Sequence, residues 1–436
     1  MANLKPEQNF LRRQGPILAI AIFCFLLHRI AFPFLTNSYP RFFAGAYWRT
    51  DVDGWSAVGE HLLEGKGYRS ADGEITAERG PVFPLYLASI YWMFGVKRGR
   101  GIALTMQMVL EAVNCWLIYL LACKLSGRKS AGLLAALIWA IHPLVMLIDM
   151  YLYSEPLFTL ILLLFSLSLL DLIDKFRPPQ FFLTGVWLGL ATLCRPITQY
   201  FPIILTATLI WMFRRRFKEV LKGALILLAG FWLILSPWVV RNYIEFKKFV
   251  PGSTLLGYNW YFSLIRMQKP DYLEVTEFYD PREINKVIKQ ELSAQGISLA
   301  GKNEAERDEI YRSQAWRTIK KYPWKYFKVC LNRMGIVLFN IDSQGYSRLR
   351  SLAVTLIQAA LFSLALAAFI FYIGKWADYS LPLLALIAYN TLAYSAILGS
   401  WRFTMPVMPY VIIWASLGLH GLYKHNADRF KRNEKV

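Results

Sequence analysis

Residues 214–243 read RRRFKEVLKGALILLAGFWLILSPWVVRNY. Three consecutive arginines are followed by a stretch from Leu221 to Val240 whose one charged residue is Lys222, and then by Arg241. An α-helix rises 1.5 Å per residue, so roughly 20 apolar residues cross the ~30 Å hydrocarbon core of a bilayer. This stretch has that length, with cations at its ends rather than along a face. It reads as a membrane span.

Similar runs recur on both sides of it. They are Pro16–Leu35, Ile102–Leu121, Ser130–Leu147, Glu155–Leu172, Phe181–Leu193 and Thr198–Phe213, then Leu352–Ile373, Pro382–Leu398 and Pro406–Tyr423. With Leu221–Val240 they predict an all-α membrane protein, a polytopic helical bundle of about ten spans. The composition agrees. Of 436 residues, 56% are hydrophobic and 18% charged, against about 25% charged in an ordinary soluble domain. A soluble enzyme is disfavoured, and a disordered chain, a collagen and a disulfide scaffold are excluded. The cysteines, Cys24, Cys115, Cys123, Cys194 and Cys330, form no metal-binding spacing and read as small core residues.

The net charge of +20 suggests nucleic acid at first sight. The cations cluster between apolar runs, however, as they do where positive charge holds cytoplasmic loops in place. Nucleic acid is therefore not the expected partner; membrane lipids are. Arg12, Arg13, the run Arg214–Arg216 and the tail KHNADRFKRNEKV put both termini inside. The first apolar run is followed by no small-residue cleavage site and reads as a retained helix.

Two polar stretches then fall outside, 36–100 and 241–350. The first holds a short amphipathic helix, Trp55–Leu63, and the apolar piece Pro81–Phe94. The second holds a helix over Glu304–Lys321 and the piece Tyr326–Phe339. Both apolar pieces are too short to span and read as interfacial or re-entrant helices. Three units follow: 1–240 with the first outer loop, 241–350 as the second, and 351–436 with the last spans and the basic tail.

Chemistry concentrates at the outer ends. Asp51 and Asp53 precede the short helix. Helix capping is one account, and taken alone the more natural one for Asp53. Deprotonating an acceptor or holding a cation is the other. Glu155 sits at the outer end of a span beside Pro156. It suits the helix dipole, yet an acid at the edge of an apolar run is costly unless paired or functional. Asp149 is a less specific candidate nearby. Arg79, Arg195, Arg241 and Arg402 also fall outside, where the positive-inside rule leaves cations unexplained. Snorkelling or pairing with those acids is one account; a membrane-embedded phosphate gripped by bidentate guanidinium contacts explains the set. Glu111, Asn114 and His142 read as buried structural contacts. The lone His61 gives no metal signature, and there is no P-loop, GxGxxG or GxSxG.

The order of motifs resembles the GT-C superfamily of integral-membrane glycosyltransferases, and most of all its bacterial branch related to protein O-mannosyltransferases and the lipid A aminoarabinose transferase. The matching elements are Asp51 with Trp55, Leu62–Tyr68, Arg79–Pro84, Phe94-Gly95, Ser154–Phe158, Arg195-Pro196, Pro237-Trp238 with Arg241-Asn242, Gly257 with Asn259, and Arg402-Phe403 with Pro406 and Pro409. The resemblance implies a glycosyltransferase of the plasma membrane that moves a sugar from a polyprenyl-phosphate donor to an envelope glycan, lipid or protein on the outer face, by inverting displacement. It puts the base or acceptor-orienting acid on Asp51 and the second-loop acid on Glu155. The carrier-phosphate arginines fall on Arg241 and Arg402, then Arg195. Val52 stands where many relatives have Glu, with Asp53 one place later. The cofactor stays open, a divalent cation being used by some relatives. A transporter or flippase of a lipid-linked sugar is the alternative, though such proteins carry repeated halves with broken helices at midplane.

Overall fold

The computed structural model describes residues 6–31, 51, 53–265, 281–339 and 348–433. The described residues are helical apart from loops and a single bridge between Arg69 and Ile75. In chain order the helices are α1 Pro6–Leu26, α2 Trp55–Leu63, α3 Val82–Phe94, α4 Val96–Ser126, α5 Lys129–Ala140, α6 Pro143–Ile148, α7 Glu155–Lys175 and α8 Pro178–Cys194. They continue with α9 Phe201–Met212, α10 Phe217–Phe246, α11 Leu256–Ile265, α12 Pro281–Ala294, α13 Glu304–Lys321, α14 Pro323–Phe339, α15 Arg348–Ile397 and α16 Met408–Asn433. The end of the first expected span, 32–35, and the start of the first outer stretch, 36–50, lie outside the described residues.

Among the described residues, six helical segments are long and apolar enough to cross a membrane: Val96–Ser126, Glu155–Lys175, Arg214–Phe246, Leu352–Ile370, Tyr379–Ile397 and Trp401–Leu422. They carry six of the ten expected spans. The other four are shorter. Among them, Ser130–Leu147 is broken at Ile141-His142, before Pro143, into α5 and α6, and Thr198–Phe213 begins as a 3-10 turn, Pro196–Tyr200. Proline explains both interruptions, because it has no N–H to donate and favours a first turn over an interior.

The boundary expected at Lys375 also differs. No loop separates the spans before and after Lys375; α15 is one helical run. The run is nevertheless not straight. Arg333 of α14 donates to the carbonyl of Ile397 at 3.2 Å, while Phe339 of the same helix meets Phe362 edge to face at 5.5 Å. In a straight helix Phe362 and Ile397 would stand about 50 Å apart, and the six-residue step from Arg333 to Phe339 covers only about 9 Å. The run therefore bends back between those contacts.

Small residues let the helices approach. A Cβ on Gly185 of α8 would strike the carbonyl of Leu227 on α10, and one on Gly418 of α16 would strike that of Leu364 on α15. Close backbone approach of this kind is how helices gain dispersion contact where lipid removes the hydrophobic drive. Two clusters of buried polar groups pair up inside the bundle. Glu111 accepts from Asn114 at 3.0 Å and from the indole of Trp139 at 2.8 Å. His28 joins Asp149 at 2.6 Å and donates to the carbonyl of Ala140 at 2.9 Å.

Candidate active site

Asp51 is the cap of α2. Its Oδ1 accepts from the backbone N–H of Trp55 at 2.9 Å and its Oδ2 from that of Ser56 at 2.8 Å. Two of the helix's orphan donors are thereby satisfied. Capping thus falls to Asp51, not to Asp53. The reason is Gly54, whose φ of +71° places the residue before the helix in the left-handed region and leaves Asp53 out of the cap.

Asp53 meets Arg402 in a two-pronged contact, Nη1 to Oδ2 at 2.7 Å and Nη2 to Oδ1 at 3.2 Å. Parallel N–H···O contacts are the strong geometry of a guanidinium–carboxylate pair. Arg402 belongs to a 3-10 segment, Trp401–Val407, that is held from two sides. Asn390 donates to the carbonyl of Phe403 at 3.0 Å, and the Thr404 hydroxyl donates to that of Val337. Just upstream, Arg333 packs against Gly399 and donates to the carbonyls of Ile397 and Ser263 at 3.2 and 2.6 Å.

Glu155 opens α7, and its side chain is 1% exposed. Arg195, where α8 ends, reaches Glu155 Oε1 with Nη1 at 2.5 Å, and Arg402 Nε lies 3.7 Å from the same oxygen. Neither Glu155 oxygen makes a well-aligned hydrogen bond among the described residues. Its charge is held by two cations and the N-terminus of α7. Aromatic rings wall the cluster. Arg402 sits 4.3 Å from the Tyr153 ring centroid. Arg195 lies 5.3 Å from that of Phe403 and donates to the Tyr394 hydroxyl at 3.2 Å. Tyr394 and Phe403 stack at 4.2 Å. Cations over ring faces gain further attraction where water is scarce.

The structure thus joins Asp53, Glu155, Arg195 and Arg402 in one neutral quartet, with Asp51 two residues from Asp53. Arg79 completes the surroundings. Its guanidinium lies over the Trp55 ring at 4.8 Å, and no ion pair or hydrogen bond holds it among the described residues. Burial pushes the Asp51 carboxyl above the usual 3.8, with Ser56, Trp55 and the charge of Arg79 opposing. Burial also acts upward on Asp53, but Arg402 and then Arg79 outweigh it, so its carboxyl is held well below the usual range.

Arg241 lies apart from this quartet. It donates to the carbonyls of Thr76 and Tyr68 at 2.7 and 3.1 Å and to Asn242 at 3.0 Å. These contacts tie the segment between α2 and α3 to α10. The same segment is sewn to residues beyond α10: Ala77 N–H donates to Glu304 at 2.8 Å, Thr254 N–H donates to the Ala77 carbonyl at 3.1 Å, and the Ser253 hydroxyl donates to the Glu78 carbonyl at 2.5 Å. A Cβ on Gly80 would strike the carbonyl of Leu193, so the segment after Arg79 lies flat against the end of α8, near Arg195. Tyr153 and Tyr394 were not among the sequence candidates. The run Tyr151–Glu155, YLYSE, was the available signal for the first; Tyr394 lies in an apolar run with none.

A divalent cation does not fit the described residues. No three His, Cys, Asp or Glu side chains converge among them, and both Asp53 oxygens face Arg402.

Residues 78–240 match the family model of dolichyl-phosphate-mannose-protein mannosyltransferases. The fold is similar to that of the oligosaccharyltransferase AglB from Archaeoglobus fulgidus, solved with an inhibitory peptide and a dolichol-phosphate, at 11% identity and a TM-score of 0.56. The match covers 98% of this chain and 52% of that one, so the chain spans about half the length of that enzyme. The Archaeoglobus fulgidus oligosaccharyltransferase in complex with Zn and sulfate gives 14% identity and a TM-score of 0.53, over 95% of this chain and 50% of that one. ArnT from Cupriavidus metallidurans, bound to undecaprenyl phosphate, gives 11% identity and a TM-score of 0.37, over 82% and 72%. No curated protein sequence matches the chain. The chain thus matches a mannosyltransferase family model over 78–240 and shares the fold of an oligosaccharyltransferase along its length.

Proposed function

We propose that the chain transfers a sugar from a polyprenyl-phosphate donor to a cell-envelope acceptor at the outer face of the membrane, by a single inverting displacement. The observation that carries this reading is the grouping of two acid–arginine pairs, a further acid and an uncommitted arginine at the ends of membrane helices. A transfer of this kind needs an acid to take a proton and cations to receive a phosphate. AglB, the fold relative, was solved with dolichol-phosphate and a peptide, which supports a lipid-linked donor.

The roles divide by environment. Asp51 is the base. Its raised carboxyl is nearer the working pH than that of Asp53, and each oxygen keeps a lone pair beyond its cap contact. Asp53 holds Arg402 in place. Arg79, with no competing acid in contact, receives the donor phosphate, with Arg402 and Arg195 supplying positive potential behind it. Arg241, its N–H groups already on carbonyls, fixes the first outer loop. In the step, the acceptor oxygen bonds to the anomeric carbon while its proton passes to Asp51. The bond from that carbon to the phosphate oxygen breaks, and its electron pair leaves with the lipid phosphate.

Mass spectrometry of envelope glycans from cells with and without the protein tests the assignment. One sugar substituent should disappear without the chain and return with it. An unchanged glycan profile would count against it.

A further inference from the structure

From Ile310 to Asn340 the sequence has seven cations and no acid. Two of the cations already have partners: Arg312 pairs with Asp308 at 2.7 Å, and Arg333 is buried on carbonyls. Arg317, Lys320, Lys321 and Lys328 make no ion pair among the described residues and are exposed. Their neighbours are unusual for a solvated surface. Trp316 is 51% exposed, Trp324 77%, Phe327 53% and Leu331 47%.

The pattern is helical. On α14 the exposed positions are 323, 324, 327, 328, 331 and 332, while 329, 333, 336 and 337 are buried. On α13 positions 313, 316, 317 and 320 are exposed. Each helix therefore shows one outward stripe that mixes aromatic or aliphatic groups with cations. The stripes meet at the elbow between Lys321 and Trp324. A stripe facing water alone would be polar. Apolar side chains level with lysines are the composition of a helix lying in a headgroup layer, where the rings and stems enter the acyl boundary and the ammonium groups stay at the phosphates.

We propose that the α13–α14 elbow docks on the anionic headgroups of the surrounding leaflet. Trp324, Phe327 and Leu331 enter the boundary, and Arg317, Lys320, Lys321 and Lys328 meet lipid phosphates. This does not depend on which sugar moves or on which residue is the base. It has a consequence for the site, because α14 carries Arg333 and Val337, which hold the segment of Arg402.

The test uses the full chain in nanodiscs, with Cys123 and Cys330 replaced by Ala and a spin label at Leu331→Cys, and with a control label at Ser298→Cys. Access of oxygen against a water-soluble relaxation reagent reports depth. With phosphatidylglycerol present, the label at 331 should lie in the oxygen-rich boundary and the label at 298 in water. In pure phosphatidylcholine, or in a Lys320→Gln, Lys321→Gln, Lys328→Gln variant, the docked fraction should fall. Each lost cation weakens docking about fivefold, so the three together should lower the docked-to-free ratio on the order of a hundredfold. A label at 331 that is water-accessible in every bilayer would overturn the proposal and favour a soluble anionic partner. A label equally deep with and without anionic lipid would overturn it too, leaving apolar insertion alone.

Discussion

Asp51 and Asp53 stand two residues apart in the same loop, and their surroundings drive their carboxyls in opposite directions. Asp51→Asn keeps the shape and one of the two capping oxygens, its NH2 standing where the other accepted from a backbone N–H. It should still insert, at a cost of about 1 kcal/mol in stability, yet lose roughly a hundredfold or more in turnover, general-base assistance being worth about 10²–10⁴-fold. Because its carboxyl lies above 3.8, the acidic limb of kcat/KM should lie above that value too. Arg79→Gln removes an opposing cation, so the limb should move to higher pH. The same variant should weaken donor use by roughly tenfold to more than a hundredfold, about 1.5–3 kcal/mol for one charged contact. A limb that stays in place would detach Arg79 from Asp51.

The Asp53–Arg402 contact predicts a loss of stability beside the loss of rate. Arg402→Ala leaves Asp53 and Glu155 buried without that partner, at a cost of about 3–5 kcal/mol. Adding Asp53→Asn should recover part of the loss, measurable as thermal unfolding in detergent. The sign with pH follows from the depressed carboxyl. Its contribution is complete above 3.8, the ordinary value, and is lost as pH falls from there through the lower folded-state value.

Element by element, the sequence was most readable where local chemistry decides. The helix expected over Glu304–Lys321 is found with those bounds, because Asn303 and Glu306 form a reciprocal capping box at 2.9 and 3.0 Å. The same holds for Trp55–Leu63, started by Asp51. It was least readable where distant segments decide. Nothing local marks that Arg241 is consumed by Thr76 and Tyr68, 165 and 173 residues away, or that Arg402 finds Asp53, 349 residues away. Charge counting located four arginines at helix ends but had no means of dividing them between a site and a brace. Likewise, Lys375 looked like a loop because hydropathy weakens there, whereas the backbone stays helical. The brace predicts that Arg241→Ala frees the first outer loop. Limited proteolysis should cut between Glu64 and Glu74 faster than in wild type, with α4 to α10 still protected. Unchanged cutting would mean that the Glu304 seam alone holds the loop.

At the scale of the whole molecule, a helical bundle fixes the helix ends that carry a charged cluster, assembled from the residues before α2, α7, the end of α8 and the segment before α16. Positive-inside bookkeeping puts that cluster outside, so reporters fused at Lys66 and Lys302 should read as external and one at Val436 as cytoplasmic. A cytoplasmic signal from Lys302 would remove the reason for expecting an external site. The central claim is transfer itself. The direct measurement incubates the purified chain in nanodiscs with a radiolabelled polyprenyl-phosphate sugar and envelope material as acceptor. Wild type should move label from the lipid to the acceptor fraction, and Asp51→Asn should bind donor but move roughly a hundredfold less in the same time. Label that stays on the lipid with both proteins, or that moves equally with both, would contradict the account.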